Sequence, residues 1–321
     1  MKTRQLKDII KIIGSLFEKM GIFVVLILMI IMLSLAVPTF SSSINIINLL
    51  RQFSFIAIIA LGAMCIFVGG GLDLSTGSVV GITSILVAMF LQIENVPLIL
   101  VILFVMLLGA LIGVINGSLV MFTGIPAFIA TLGTMTILRG LALIVCKGVP
   151  VPISRKDFIF LGAGKILGIP VPILILVLLS IITFLIMNHT RFGRHVYAIG
   201  GNLQAAIISG IKIKKVSIIV YAYGSLLAAI SGMVLTARIY SGQPSLGTGF
   251  ELDAIAAAVI GGTSIKGGIG TVFGVISGAL LIGVLSNGMD LINLSGYWQQ
   301  VGKGIIITLA VIIDVLRKGK K

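Results

Sequence analysis

The sequence predicts an all-α polytopic membrane protein with about ten transmembrane helices, some broken or re-entrant, and with both termini in the cytoplasm. Three observations carry this prediction. The chain is 58% hydrophobic and only 10% charged over 321 residues, where a soluble domain has about 25% charged residues. Water cannot solvate a folded surface with so few charges. The apolar residues fall in runs approaching the ~20 needed to cross a bilayer as a helix. The basic residues collect in short segments between those runs and at the two ends, the pattern of cytoplasmic loops that orient a membrane protein.

The first twenty residues, MKTRQLKDIIKIIGSLFEKM, carry five basic and two acidic residues. Ile9, Ile10, Ile12, Ile13, Leu16 and Phe17 fall at helical spacing. Residues 1–20 therefore read either as a cytoplasmic amphipathic segment lying on the membrane surface or as an ordinary basic flank. The apolar run after Gly21 is too long for a cleaved signal peptide. Candidate spans follow at 21–37, 53–70, 77–93, 97–119, 126–145, 170–188, 216–238, 252–265, 270–287 and 298–316. The eighth is too short for a full crossing. Together they make residues 21–316 one transmembrane domain, with a basic tail at 317–321.

If all ten cross with the termini inside, the inner segments hold fifteen of the 23 Lys and Arg residues and the outer segments six. That bias favours a cytoplasmic placement of the termini and of the long basic loop 189–215. The net charge of +14 is thereby a topology signal and no nucleic-acid-binding stripe. Cys65 and Cys146 sit in or near apolar segments and define no disulfide framework.

Two segments interrupt the helical pattern: GGGLDLSTGSVVG at 69–81 and GGTSIKGGIGTVFG at 261–274. GSVVG at 77–81 matches GTVFG at 270–274 with an offset of 193 residues. Broken segments in the two halves of a transporter mark its pathway, and coincidence in a chain with 40 glycines is the alternative. Such backbone is tolerated at membrane depth only where protein or a water-filled cavity covers it.

No nucleotide site is encoded. GAGKI at 162–166 lacks the hydroxyl residue a phosphate loop needs after its Lys. His189 and His195 have no Cys or Asp partner in sequence, so no metal site is expected. An ion-coupled secondary transporter of a small polar solute is the rival reading, but such carriers keep ionisable groups deep in their spans. Here the mid-span charge is essentially Arg139, which can cap backbone carbonyls, pair with a carboxylate or touch substrate. A membrane enzyme would need a convergent nucleophile or metal set, and none is visible. Polar residues available to a solute are Asn116, Thr131, Thr134, Thr136, Gln243, Asn287, Gln299 and Gln300; each can equally be interhelical glue.

The chain resembles the permease subunits of bacterial sugar ABC importers, the ribose and galactoside type. The resemblance is carried by GGLDLSTGSVVG at 70–81, NG at 116–117, PAFIATLGTMTILRG at 126–140, HTRFGRHVYAIGGN at 189–202, GTGFELDAIAAAVIGGTS at 247–264 and GYWQQVGKGIIITLAVIID at 296–314. It implies a multi-pass protein of the bacterial inner membrane that pairs with a second copy to form one path. Two cytoplasmic ATPase subunits would use ATP and magnesium, so that this chain binds no cofactor itself. A periplasmic or lipid-anchored binding protein would deliver the sugar. Gate and pathway candidates are then Asp73, Ser75, Gly77, Asn116, Thr131, Thr134, Glu251, Asp253, Gly261, Gly262 and Thr263. Asp73 is expected near a cytoplasmic gate and Glu251 near the outer mouth.

The resemblance also makes Gly200–Ile211 the helix that docks the ATPase, through Gly200, Gly201, Asn202, Ala205, Ala206, Gly210 and Ile211. Leu203 and Gln204 stand where the family often has an acidic residue, and Ile207 and Ile208 where Arg is frequent. Docking by packing is therefore favoured over docking by salt bridges. Residues 203–209 would make two turns, with Gly200 and Gly201 permitting a sharp bend before them and Gly210 ending them in the left-handed conformation. Apolar side chains on such a helix need a groove to cover them, supplied by a partner or by the chain's own membrane helices.

Overall fold

A computed structural model describes residues 23–305 and 308, most of which are helical. The expected amphipathic segment 1–20 and the tail 317–321 lie outside the described residues. The helices are α1 (Phe23–Ala36), α2 (Ser43–Val68), α3 (Thr76–Phe90), α4 (Leu98–Thr123), α5 (Ala127–Cys146), α6 (Lys156–Ala163), α7 (Val171–His189), α8 (Arg191–Gly201), α9 (Leu203–Ile208), α10 (Ile213–Ile239), α11 (Phe250–Ile260) and α12 (Val272–Leu291). A further helix covers 296–305. Helices dominate because only they satisfy every backbone polar group within one segment when water is absent.

Six of the described helices, α2, α4, α5, α7, α10 and α12, are long and apolar enough to cross a membrane. Two of the predicted spans are shortened instead. The eighth becomes the 11-residue α11, and the third, read from sequence as a full span over 77–93, becomes the 15-residue α3. Each is reached through a non-helical stretch, 240–249 before α11 and 69–75 before α3. Hydropathy registers burial whatever the backbone does, so a buried loop running into a short helix reads like one long span. The second predicted span departs in the other direction: α2 begins ten residues earlier, at Ser43, where the Ser42 side chain accepts from the Asn45 N–H and caps it.

α2 and α10 form the centre. They run antiparallel: Gly62 of α2 lies against Gly224 of α10, and the Ser231 hydroxyl donates to the Phe55 carbonyl at 2.9 Å. Missing side chains at the crossing let the backbones approach; a Cβ on Gly62 would lie 2.8 Å from the Gly224 carbonyl oxygen. α4 packs antiparallel along α10, with Gly109 on Ala229 and Gly117 on Ile218. α12 packs antiparallel along α2, with Gly283 on Phe53 and Gly270 against Val68 and Met64. α3 packs on α10, and α11 packs on α2. The C-terminal ends of α2 and α4 and the N-terminal ends of α10 and α12 thus gather on the side that carries α9. On the opposite side Val151–Pro152 pairs antiparallel with Ser241–Gly242.

The two halves therefore share a succession of long, short and long helices: α2, α3, α4 and α10, α11, α12. That order makes 240–249 the counterpart of 69–75. The likeness between 77–81 and 270–274 joins unequal places, the start of a short helix and the start of a long one. The five-residue match is what a glycine-rich composition produces, and this is a correction to the pairing of 69–81 with 261–274.

Candidate functional site

The stretch 69–75 leaves α2 on the α9 side and turns back into the bundle. The Tyr221 hydroxyl pins it, accepting from the Leu72 N–H and donating to the Leu72 carbonyl, both at 3.2 Å. Asp73, only 4% exposed, then organises the start of α3. Its Oδ1 accepts from the Ser75 N–H and the Ser75 hydroxyl, each at 2.7 Å. Asn116 of α4 donates to the Ser75 hydroxyl at 2.8 Å, and Ser225 of α10 donates weakly to Asp73 Oδ2 at 3.4 Å. A carboxylate here also complements the positive end of the α3 dipole. Asp73, Ser75 and Asn116 thus belong to one buried network at the level of Ser225, midway along α10.

α11 starts beside α3. Glu251, in the first turn of α11, accepts through Oε1 from the Gly249 N–H at 3.3 Å, while its buried Oε2 has no hydrogen-bond partner among the described residues. That oxygen lies over Gly77, in the place a Cβ would fill. Arg139 of α5 reaches into the same junction. Its Nη1 donates to the carbonyls of Pro244 (2.9 Å) and Leu246 (2.8 Å), and its Nη2 to that of Gly77 (3.1 Å). The stretch 240–249 frees carbonyls inside the bundle, and one guanidinium satisfies two of them together with the Gly77 carbonyl in the first turn of α3. The carbonyl-capping role is the one Arg139 adopts. Glu251 accordingly sits at the inner junction of two short helices. An outer mouth was expected for it; the return of 240–249 into the bundle sets it beside Gly77 instead, which no hydropathy run can reveal.

The remaining pathway candidates divide. Thr131 and Thr134 are buried on α5 and bond to carbonyls of their own helix, Ala127 and Ala130. Gly261, Gly262 and Thr263 lie at the far end of α11, on the α9 side, where Gly261 is pressed against the Gly274 backbone. Asp253 pairs with Lys303 at 2.8 Å. The pair borders a cavity of about 590 Å³ between α11 and helix 296–305, whose wall also carries Thr248, Glu251, Gln299 and Gln300. Tyr221 and Ser225 were not singled out from sequence. Their four-residue spacing puts both on one face of α10, which was the available signal.

The basic loop 189–215 is itself mostly helical. α8 is capped by the Thr190 hydroxyl, which accepts from the Gly193 N–H, and α9 by Asn202, whose side chain accepts from the Ala205 N–H at 3.0 Å. Gly210 ends α9 with φ +75°, and the Ile211 N–H closes the turn on the Ala206 carbonyl at 3.1 Å. Ala206 is buried, while Leu203, Ile207 and Ile208 are 48%, 50% and 86% exposed. The bend before α9 is made at Asn202, with φ −154° and ψ 100°, and both preceding glycines are helical. Gly200 is required by packing: a Cβ there would fall on the Val68 carbonyl and 2.6 Å from the Gly268 nitrogen. Those two atoms are hydrogen-bonded at 2.9 Å. Nearby, the Tyr197 hydroxyl donates to the Gly270 carbonyl at 2.7 Å. α8, which carries α9, is thus fastened to the end of α2 and to the connection between α11 and α12.

A family model described as branched-chain amino acid transport system / permease component matches residues 45–311. The chain belongs to that permease family. It is 42% identical over 306 residues to the ribose import permease protein of Haemophilus influenzae, covering 94% of each chain. It is 42% identical over 318 residues to the ribose import permease protein of Bacillus subtilis, covering 98% of each. The galactose/methyl galactoside import permease protein of Escherichia coli is 38% identical over 322 residues, at 94% of this chain and 95% of that one. No solved structure matches. The permease is thus a multi-pass membrane protein whose relatives are transport components. The junction where α3 and α11 begin and the fastened α8–α9 unit are two of the places among the described residues that depart from plain membrane-crossing helices.

Proposed function

We propose that this chain is the membrane-spanning subunit of an ATP-driven importer that passes a monosaccharide, ribose first among the candidates, into the cytoplasm. The carrying observation is α9. It is a capped two-turn helix with three exposed apolar side chains, and it stands on a base fastened to both halves of the bundle. A cytoplasmic ATPase with an apolar groove would cover Leu203, Ile207 and Ile208. Force on α9 would then pass through α8 to the end of α2, which leads into α3, and to the connection between α11 and α12. ATP and magnesium would be used by the ATPase chains, and a periplasmic or lipid-anchored binding protein would deliver the sugar on the side of α6. The relatives' names support ribose.

The proposal includes ten passes. α3 and α11, each with its non-helical stretch, count as one pass apiece, and both termini then fall on the cytoplasmic α9 side of the bacterial inner membrane. It also includes pairing with a second copy to complete one path. An ion-coupled secondary carrier is the competing mechanism. Proteoliposomes holding the permease and the ATPase, supplied with loaded binding protein outside and ATP inside, are expected to accumulate labelled ribose. Uptake that persists under an ion gradient without the ATPase overturns the proposal.

A further inference from the structure

The cavity between α11 and helix 296–305 gathers polar side chains at the depth where α11 begins. Its volume, about 590 Å³, falls in the range of about 300–1,000 Å³ typical of small-molecule sites. Six side chains give its wall chemistry: Thr248, Glu251, Asp253, Gln299, Gln300 and Lys303. Two of the nine acidic residues in the whole chain are among them. Gly296 and Gly304 add no side chain, and a Cβ on either would meet nothing within 4 Å.

The wall holds one neutralised ion pair and one further carboxylate, Glu251, whose Oε1 accepts from the Gly249 N–H. Lys303 is neutralised by Asp253 at 2.8 Å. Gln299 donates through Nε2 to Asp290 and to the Leu294 carbonyl, which leaves its carbonyl oxygen to accept. An anion would need an unpaired cation, and the one Lys or Arg of the wall, Lys303, is held by Asp253. A neutral polyol needs neighbouring donors and acceptors, because each hydroxyl is both.

We propose that this cavity is the contact station for the monosaccharide during passage, with the Gln300 carboxamide, the Gln299 oxygen and the Asp253–Lys303 pair as the hydroxyl-binding groups. This rests on the permease reading above. Gln300 is exposed and holds no helix in place, so its replacement tests passage more than folding.

The test uses the full importer in proteoliposomes, with D-ribose as the probe. Gln300→Leu is expected to lower ribose uptake per ATP hydrolysed about fivefold, the loss of one neutral hydrogen bond in the passage step. In Gln300→Cys, a charged, membrane-impermeant thiol reagent is expected to react, ribose-loaded binding protein with ATP is expected to slow that reaction, and the adduct is expected to block uptake. A thiol at 300 that stays unreactive in every state, or Gln300→Leu with wild-type uptake per ATP, overturns the station while leaving the permease reading standing. Wild-type vesicles that take up no ribose with both partners present overturn the permease reading itself, and the station with it.

Discussion

Replacing Gly200 with Val tests the fastening of α8 to the bundle. The new Cβ would occupy the place of the Val68 carbonyl and stand 2.6 Å from the Gly268 nitrogen. Both obstacles are backbone, so no side chain can rotate away, and α8 must lift from α2. Lifting breaks the 2.7 Å bond from the Tyr197 hydroxyl to the Gly270 carbonyl. An unsatisfied buried polar group costs about 1–3 kcal/mol, and overpacking costs about 1–3 kcal/mol more. The local contact therefore loses about 2–6 kcal/mol. The lower figure alone shifts a two-state contact about thirtyfold, at 1.4 kcal/mol per tenfold. The helices of the bundle centre do not use this contact, so membrane insertion is expected to survive. In proteoliposomes with the ATPase and binding protein, the variant is expected to hydrolyse ATP while ribose taken up per ATP falls at least about tenfold. Gly201→Ala is the internal control, since a Cβ there meets nothing within 4 Å. The reasoning is refuted if Gly200→Val keeps the wild-type ratio, or if Gly201→Ala is equally damaging.

Arg139→Met leaves three carbonyls without their donor and, at about 1–3 kcal/mol for each buried polar group left unsatisfied, is expected to destabilise the detergent-solubilised protein by about 3 kcal/mol or more in a thermal unfolding assay. Arg139→Lys is expected to recover only part of this, because an ammonium lacks the planar fork that reaches Pro244, Leu246 and Gly77 together. Ile208→Asp places a charge on the most exposed apolar side chain of α9; co-purification of the ATPase is expected to drop, with the permease's own melting temperature unchanged. In the outer connection, hydrogen bonds from Arg155 hold the Asp157 carboxyl below the usual carboxylate range. Its contribution is therefore complete above its ordinary value of about 3.9 and is lost as pH falls through the lower folded value. Asp157→Asn is expected to remove that acid dependence and, the pair being exposed, to cost under about 1 kcal/mol at neutral pH.

By itself the sequence determined the solvent of this protein and much of its punctuation. A chain with 10% charge has to put its surface in lipid, and the position of Gly210 already ended α9, because a left-handed turn is chemistry of a single residue. The grouping of Asp73 with Ser75 was legible for the same reason, being a contact between neighbours two residues apart. Tertiary structure alone decided that α3 and α11 are short and begin face to face, that Gly200 is a packing glycine and no hinge, and that Arg139 caps carbonyls 105 and 107 residues away. It also brought Lys303 to Asp253 across 50 residues. Hydropathy measures how greasy a stretch is, and a buried loop is as greasy as a buried helix. The return of the backbone into the bundle is set by long-range partners, and those appear only when the helices are packed.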